Sequence, residues 1–181
     1  AAMYGKSDNP LWVYDAQLNW LLGDHMMTFA VQHSEDDLTD SSAASRPVDV
    51  VYRNTGFSVQ DDWFVHPNLS LIYGFRVDDH SELDDTVISP RFAARWSASD
   101  ALTVRFSYAT GFQAPRVFSE DLHIETAGDG ATRVITNAAD LKEEEATTYN
   151  LSLEYVHSLG KDYIMFESNA FFTDIKDKFA E

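Results

Sequence analysis

Four arginines, Arg76, Arg91, Arg95 and Arg105, sit in stretches that alternate apolar with polar residues, and each falls on the polar side. A guanidinium is a rigid planar fork of donors suited to paired carboxylate-type oxygens. A row of them along one wet face can hold or guide an anionic ligand, or simply pair with neighbouring carboxylates. A second group of candidate ligand contacts, Arg116, Phe118, Glu120, Asp121 and His123, lies in the longest polar stretch of the chain. The histidines His25, His33, His66, His80, His123 and His157 are scattered without metal-ligand spacing. Two acidic runs, 35–40 and 78–85, carry carboxylates of the kind calcium takes, although such runs are more often solvated surface. No nucleophile elbow, phosphate loop, EF-hand or Ser/His/acid arrangement occurs. The sequence therefore assigns no catalytic residue, no metal and no cofactor, and the reading is of a protein that is not an enzyme.

What must position those arginines is β-structure. The chain has 181 residues, of which 44% are hydrophobic and 13% aromatic, yet the apolar residues come every second position. Only a strand gathers that spacing onto one face, and no run is long and apolar enough for a membrane helix. A net charge of −17 argues against nucleic acid, since phosphate binding needs clustered Lys and Arg. Cysteine is absent, which removes disulfides, thiolate zinc sites and a cysteine nucleophile. Ala1 opens on no signal-peptide pattern, and the expectation is a piece of a longer protein.

Taken in order, Leu11–Leu22 sets Trp12, Tyr14, Ala16, Leu18, Trp20 and Leu22 against Asp15, Gln17 and Asn19. Gly23-Asp24-His25 turns the chain, Met27, Phe29 and Val31 continue the apolar side, and a polar loop is expected over 34–47. Residues 48–65 resume the alternation through Thr55, Phe57, Val59 and Trp63. Asp61 interrupts this apolar side near the strand end, where an interfacial position tolerates it. After a turn at 66–68, Leu69, Leu71, Tyr73, Phe75 and Val77 oppose Arg76 and Asp78; an acidic loop follows at 79–86. Phe92, Ala94 and Trp96 oppose Arg91 and Arg95, with Pro90 placed near the strand start because it cannot donate to a ladder. Leu102, Val104, Phe106 and Tyr108 lead to the longest loop, 113–143, and Tyr149, Leu151, Leu153 and Tyr155 return from it. A last strand spans 163–175, with Phe166, Ala170 and Phe172 apolar and Glu167 and Asn169 opposite.

This gives an all-β antiparallel up-and-down meander of about eight strands whose connections alternate between short and long. In a meander every second turn emerges at the same end, so tight turns gather on one side and extended loops on the other. Transmembrane β-barrels have that asymmetry, with aromatic girdles where Trp20, Trp63, Trp96 and Tyr155 would fall. A soluble antiparallel sandwich also hides one face of each strand; long strands and a basic polar face favour the barrel.

Thr-Gly-Phe-Gln-Ala-Pro at 110–115 and Asn137 with Asp-Leu-Lys-Glu-Glu at 140–144 resemble the barrel signature of TonB-dependent outer-membrane receptors. Phe-Ser-Val-Gln-Asp-Asp-Trp at 57–63, Tyr-Gly-Phe-Arg-Val-Asp at 73–78, Ser-Pro-Arg at 89–91 and Ala-Phe-Phe-Thr-Asp-Ile-Lys at 170–176 resemble its successive strands. Gln113 and Glu143 depart from the arginine and proline common there. The resemblance implies a barrel of about 22 strands in the bacterial outer membrane, plugged by an N-terminal domain and driven by the TonB complex. Residues 1–181 would be a partial barrel domain, mid-barrel, without plug or C-terminal strands. The implied partners are outer-membrane lipid, the remainder of the barrel with its plug, the TonB complex through the N-terminal part, and a small-molecule ligand; no nucleic acid is implied.

The leading functional expectation is TonB-dependent uptake of a scarce nutrient, a ferric siderophore or cobalamin foremost, with haem or a glycan as other cargoes. Arg116, Phe118, Glu120, Asp121 and His123 would then meet ligand in the long loop, and Arg76, Arg91, Arg95 and Arg105 would line the lumen. The alternative is a passive porin-like or adhesive outer-membrane barrel.

Overall fold

The computed structural model describes residues 7–40, 48–116 and 142–178. The strands are β1 (Ser7–Asp8), β2 (Leu11–Leu22), β3 (His25–Asp40), β4 (Val48–His66), β5 (Leu69–His80), β6 (Val87–Ser97), β7 (Leu102–Gln113), β8 (Glu144–Leu159) and β9 (Asp162–Lys176). Eight of them are long, as the alternation predicts; the two-residue β1, unforeseen, pairs with the far end of β3. The long strands form one antiparallel sheet in chain order, each paired with its sequence neighbours.

Tight turns follow from local chemistry. Gly23 and Gly160 take φ of 60° and 72°, the left-handed conformation that two-residue hairpins demand and that costs glycine nothing. The turn before β7 is closed by Ser99, whose Oγ accepts the amides of Ala101 at 3.2 Å and Leu102 at 3.1 Å. Pro90, the fourth residue of β6, pairs with Phe75 on β5 at a level where β7 has already parted from β6. Its missing donor therefore breaks no ladder between β6 and β7.

The acidic runs are more ordered than their composition implies. β3 continues through Asp40 and β5 through His80, where loops are expected from 34 and 79. Their carboxylates alternate like any strand residue, and composition alone hides that periodicity.

Register fixes the two faces. Trp20, Met27, Asp61, Tyr73, Phe92, Tyr108, Tyr149 and Phe172 lie in adjoining cross-strand rows, and around them one face is almost wholly apolar. It is uncovered: Trp12 is 59% and Leu18 61% exposed. Among the described residues no helix or second sheet packs on it, and the only apolar residues with buried side chains are Tyr52 and Ala114, both on the other side at the long-loop end. A sandwich would place its apolar rows against one another. Here they point away from the protein, while the polar face is concave: residues of β2 and β7 line one hollow with Gln60 and Arg91 between them. This is the wall of a membrane barrel, apolar outside and polar inside.

Candidate functional site

At the long-loop end the concave face holds a cavity of about 500 Å³, lined from β2 to β7. It arises because β6 and β7 stop pairing at Arg91–Ala109, whereas β7 and β8 stay paired as far as Gln113–Glu144. The freed end of β7 brings Ala114, only 6% exposed, and Arg116 to the cavity wall. There the Arg116 guanidinium lies 3.1 Å from the Asp36 carboxylate on β3 and 5.4 Å from the centre of the Tyr52 ring on β4. The Gly-Phe-Gln-Ala-Pro-Arg segment thus ties β7 across the mouth to β3 and β4.

Beneath that tie, Arg76 and Asp78 form the best-buried ion pair of the mouth. Nε of Arg76 donates to Asp78 Oδ1 at 2.9 Å and to Oδ2 at 2.8 Å, and Nη2 reaches Gln32 Oε1 at 3.3 Å. Asp78 is 2% exposed and also accepts from Asn54 Nδ2 at 2.9 Å. Gly56, directly opposite Asp78, leaves the room: a Cβ there would collide with the Arg76 guanidinium and come within 2.6 Å of Asp78 Oδ1. A buried carboxylate is tolerated when charge and hydrogen bonds meet it together.

His80 closes the same wall. It is buried, and the ring of Phe112 meets it edge-on at 6.5 Å. The outward apolar row of β5 ends at Val77, so His80 lies beyond the hydrocarbon span. Burial, reinforced by the positive Arg116, lowers its pKa against the weaker pull of Glu82, Asp78 and Asp79, favouring the neutral ring.

The predicted lumen arginines divide into two pairs. Arg76 is bound as described, and Arg105 meets Glu154 on β8 at 2.8 Å. Arg91 and Arg95 stand exposed on the concave face, and among the described residues no hydrogen bond or ion pair engages them. Of the loop candidates, Arg116 is placed at the mouth; Phe118, Glu120, Asp121 and His123 lie outside the described residues. The acidic runs spend carboxylates on arginine: Glu35 on Arg53 at 3.2 Å, Asp36 on Arg116 and Asp78 on Arg76. Sequence reasoning passed over Tyr52 and Asn54, and read Asp36 and His80 only as part of an acidic run and of a scatter of histidines; the alternation of 48–65, continued past 34 on β3 and through 80 on β5, sets all four on the arginine face.

On the opposite face, near the tight turns, Asp61 is 5% exposed. Its Oδ2 lies 2.8 Å from His25 Nδ1 and accepts from the Tyr73 hydroxyl at 2.5 Å, while its Oδ1 has no partner. His25 stacks on Trp63 with ring centres 5.4 Å apart. The interruption seen in sequence is therefore a capped carboxylate.

Residues 3–181 match the family model described as TonB dependent receptor-like, beta-barrel. The chain is 27% identical over 168 residues to the iron-regulated outer membrane virulence protein of Vibrio cholerae serotype O1, covering 92% of this chain and 25% of that protein. It thus spans about a quarter of the length of that curated relative. Among solved structures, the siderophore receptor PirA from Pseudomonas aeruginosa superposes with a TM-score of 0.79 at 19% identity, over 96% of this chain and 33% of that one. The ferric enterobactin receptor PfeA gives 0.72 at 17%, over 95% and 27%. The copper transporter OprC gives 0.69 at 14%, over 94% and 30%. At these identities the structural likenesses establish the fold.

Proposed function

The chain belongs to the TonB-dependent receptor β-barrel family of the bacterial outer membrane, and from that premise we propose that it forms a sector of a receptor importing a scarce nutrient, a ferric siderophore foremost. Residues 1–181 supply barrel wall; the other strands, the plug and the contact with TonB belong to the rest of the protein. The observation that carries this reading is the mouth cavity: a polar hollow at the long-loop end, held by Arg116–Asp36 and Arg76–Asp78, above a concave face carrying Arg91 and Arg95. Outer-membrane barrels put their long loops outside the cell, so the cavity opens where cargo arrives. Ligand sites are concave, with a few fixed polar groups that orient the ligand. The iron-regulated relative and the siderophore-receptor neighbours make an iron chelate the first cargo to test and cobalamin the second.

The test is a deletion of the full gene, followed by radiolabelled iron uptake from a panel of ferric siderophores and by growth on limiting cobalamin, with and without functional TonB. Loss of uptake of one complex, restored by the gene only when TonB is active, is the expected result. Unchanged accumulation of every complex would overturn the reading.

A further inference from the structure

We infer that His25, Asp61 and Trp63 form a binding site on the outer surface of the barrel, at its tight-turn end, for the ammonium group of a membrane phospholipid with an ethanolamine head. The site is independent of cargo and distinguishes one lipid head from another.

Depth gives the first argument. His25 opens β3 directly after the Gly23-Asp24 turn and stands opposite Trp63 on the ladder, while Trp20 stands opposite Met27, two residues further along. These residues share the outward face. Tryptophans near strand ends mark the level at which hydrocarbon gives way to headgroups. The His25 side chain, 38% exposed and stacked on Trp63, therefore presents its ring to the headgroup layer. The adjoining outward row of Leu18, Phe29, Val59 and Phe75 offers acyl chains an apolar bed.

The second argument is chemical. Asp61 Oδ2 accepts from the Tyr73 hydroxyl and lies 2.8 Å from His25 Nδ1. A carboxylate only accepts, so it fixes a ring proton on Nδ1 and leaves Nε2 of the neutral ring as an acceptor. Among the described residues nothing donates to that nitrogen, and nothing donates to Asp61 Oδ1. Nor does the chain bring a cation close: residues 7–45 and 54–75, which hold the tight-turn ends of β2 to β5, contain no lysine or arginine, and Asp24 adds a second negative charge. Replacing a buried charged pair by apolar side chains is often neutral or stabilising, so stability alone does not account for a carboxylate on a lipid-facing wall. A primary ammonium supplies what is missing: an N–H for Nε2 and a positive charge facing Asp61 and the indole of Trp63. An anionic head would meet Asp61 and Asp24 with like charge, and a trimethylammonium head has no N–H to give.

The test offers the purified full-length receptor equimolar phosphatidylethanolamine, phosphatidylcholine and phosphatidylglycerol with identical acyl chains, and reads the retained lipid by native mass spectrometry. The parent receptor should retain phosphatidylethanolamine in preference to both others. Asp61→Asn, which removes the charge and keeps the shape, should lower that preference about tenfold. His25→Phe keeps a ring on Trp63, loses Nε2 and should do the same, so the question stays answerable if one variant does not assemble; heat-modifiable mobility identifies the folded barrels. A purely structural Asp61 would weaken the fold and leave the ratio of lipids unchanged. Equal retention of the three lipids by the parent would overturn the inference, as would a preference that persists in either folded variant. Displacement of the bound lipid by free ethanolamine would make this a site for a soluble amine and overturn it too.

Discussion

Arg116, just beyond the end of β7, and Asp36 on β3 meet at 3.1 Å across the mouth of the cavity, so one ion pair ties together segments that share no ladder. Arg116 is half exposed and Asp36 is not, which keeps the contribution near the surface-pair range of about 1 kcal/mol or less. The consequence is local. Asp36→Asn should speed tryptic cleavage after Arg116 in the full-length receptor without shifting its thermal midpoint. Exchanging the two charges, Asp36→Arg with Arg116→Asp, should slow opening of the segment again, read by hydrogen exchange of 113–116. Cleavage as slow as in the parent protein after Asp36→Asn would mean that the segment is held by Tyr52 and the burial of Ala114 alone.

Gly56 is required by its neighbours rather than by its backbone. Gly56→Ala drives a Cβ into the Arg76 guanidinium, and the side chain can yield only by leaving Asp78, a carboxylate that is 2% exposed. Stripping the partner from a buried charge costs on the order of 3 kcal/mol; Asn54 still donates to Asp78 and Arg76 is part exposed, so about half of that is expected. The substitution should lower the temperature at which the barrel loses its heat-modifiable mobility. Asp78→Asn in the same chain should recover most of the loss, because the stranded charge is gone. A Gly56→Ala barrel as stable as its parent would mean that Arg76 finds a second anchor.

Much of this architecture could be read from alternation, and the exceptions have physical causes. The apolar rows of β2, β5 and β9 and the tight turns at Gly23 and Gly160 are set by local pattern, and they fall where sequence puts them. The ends of β3 and β5 are different: carboxylates there are met by arginine, Glu35 by Arg53 and Asp36 by Arg116 from elsewhere in the chain, and Asp78 by Arg76 on its own strand. The first two pairings depend on register across strands, which no short window contains. The same holds for Arg91 and Arg95. Alternation puts them on the polar face, and only the three-dimensional arrangement separates them from Arg76 and Arg105, which are already engaged.

Asp61 tests how a carboxylate survives on the apolar face. With Oδ1 unpartnered, it depends on the Tyr73 hydroxyl and His25. Tyr73→Phe keeps the ring and removes one of two donors, which should cost about 1–3 kcal/mol. Asp61→Leu combined with Tyr73→Phe should cost far less than Tyr73→Phe alone, because no buried charge then lacks a donor. The measurement is a double-mutant cycle on urea unfolding of the receptor in lipid vesicles. Additive losses would show that the two side chains are not coupled.

His80 gives the mouth a pH dependence whose sign follows from its surroundings. Burial, with Arg116 behind it, favours the neutral ring against Glu82, Asp78 and Asp79, so its pKa in the folded protein lies below the ordinary value of about 6.5. Above that value the ring is neutral whether the mouth is closed or open, and the closed arrangement keeps its full stability. As pH falls from about 6.5 towards the lowered folded value, the open form takes up the proton first, and the closed form loses ground. Nuclear magnetic resonance titration of His80 should give a midpoint below 6.5, and Arg116→Gln should move it upward by removing the nearby positive charge. Exposure of the Phe112 segment, followed by hydrogen exchange corrected for its intrinsic pH dependence, should rise over the same interval and lose that rise in His80→Gln. A midpoint at or above 6.5 in the parent receptor would reverse the sign and remove the coupling.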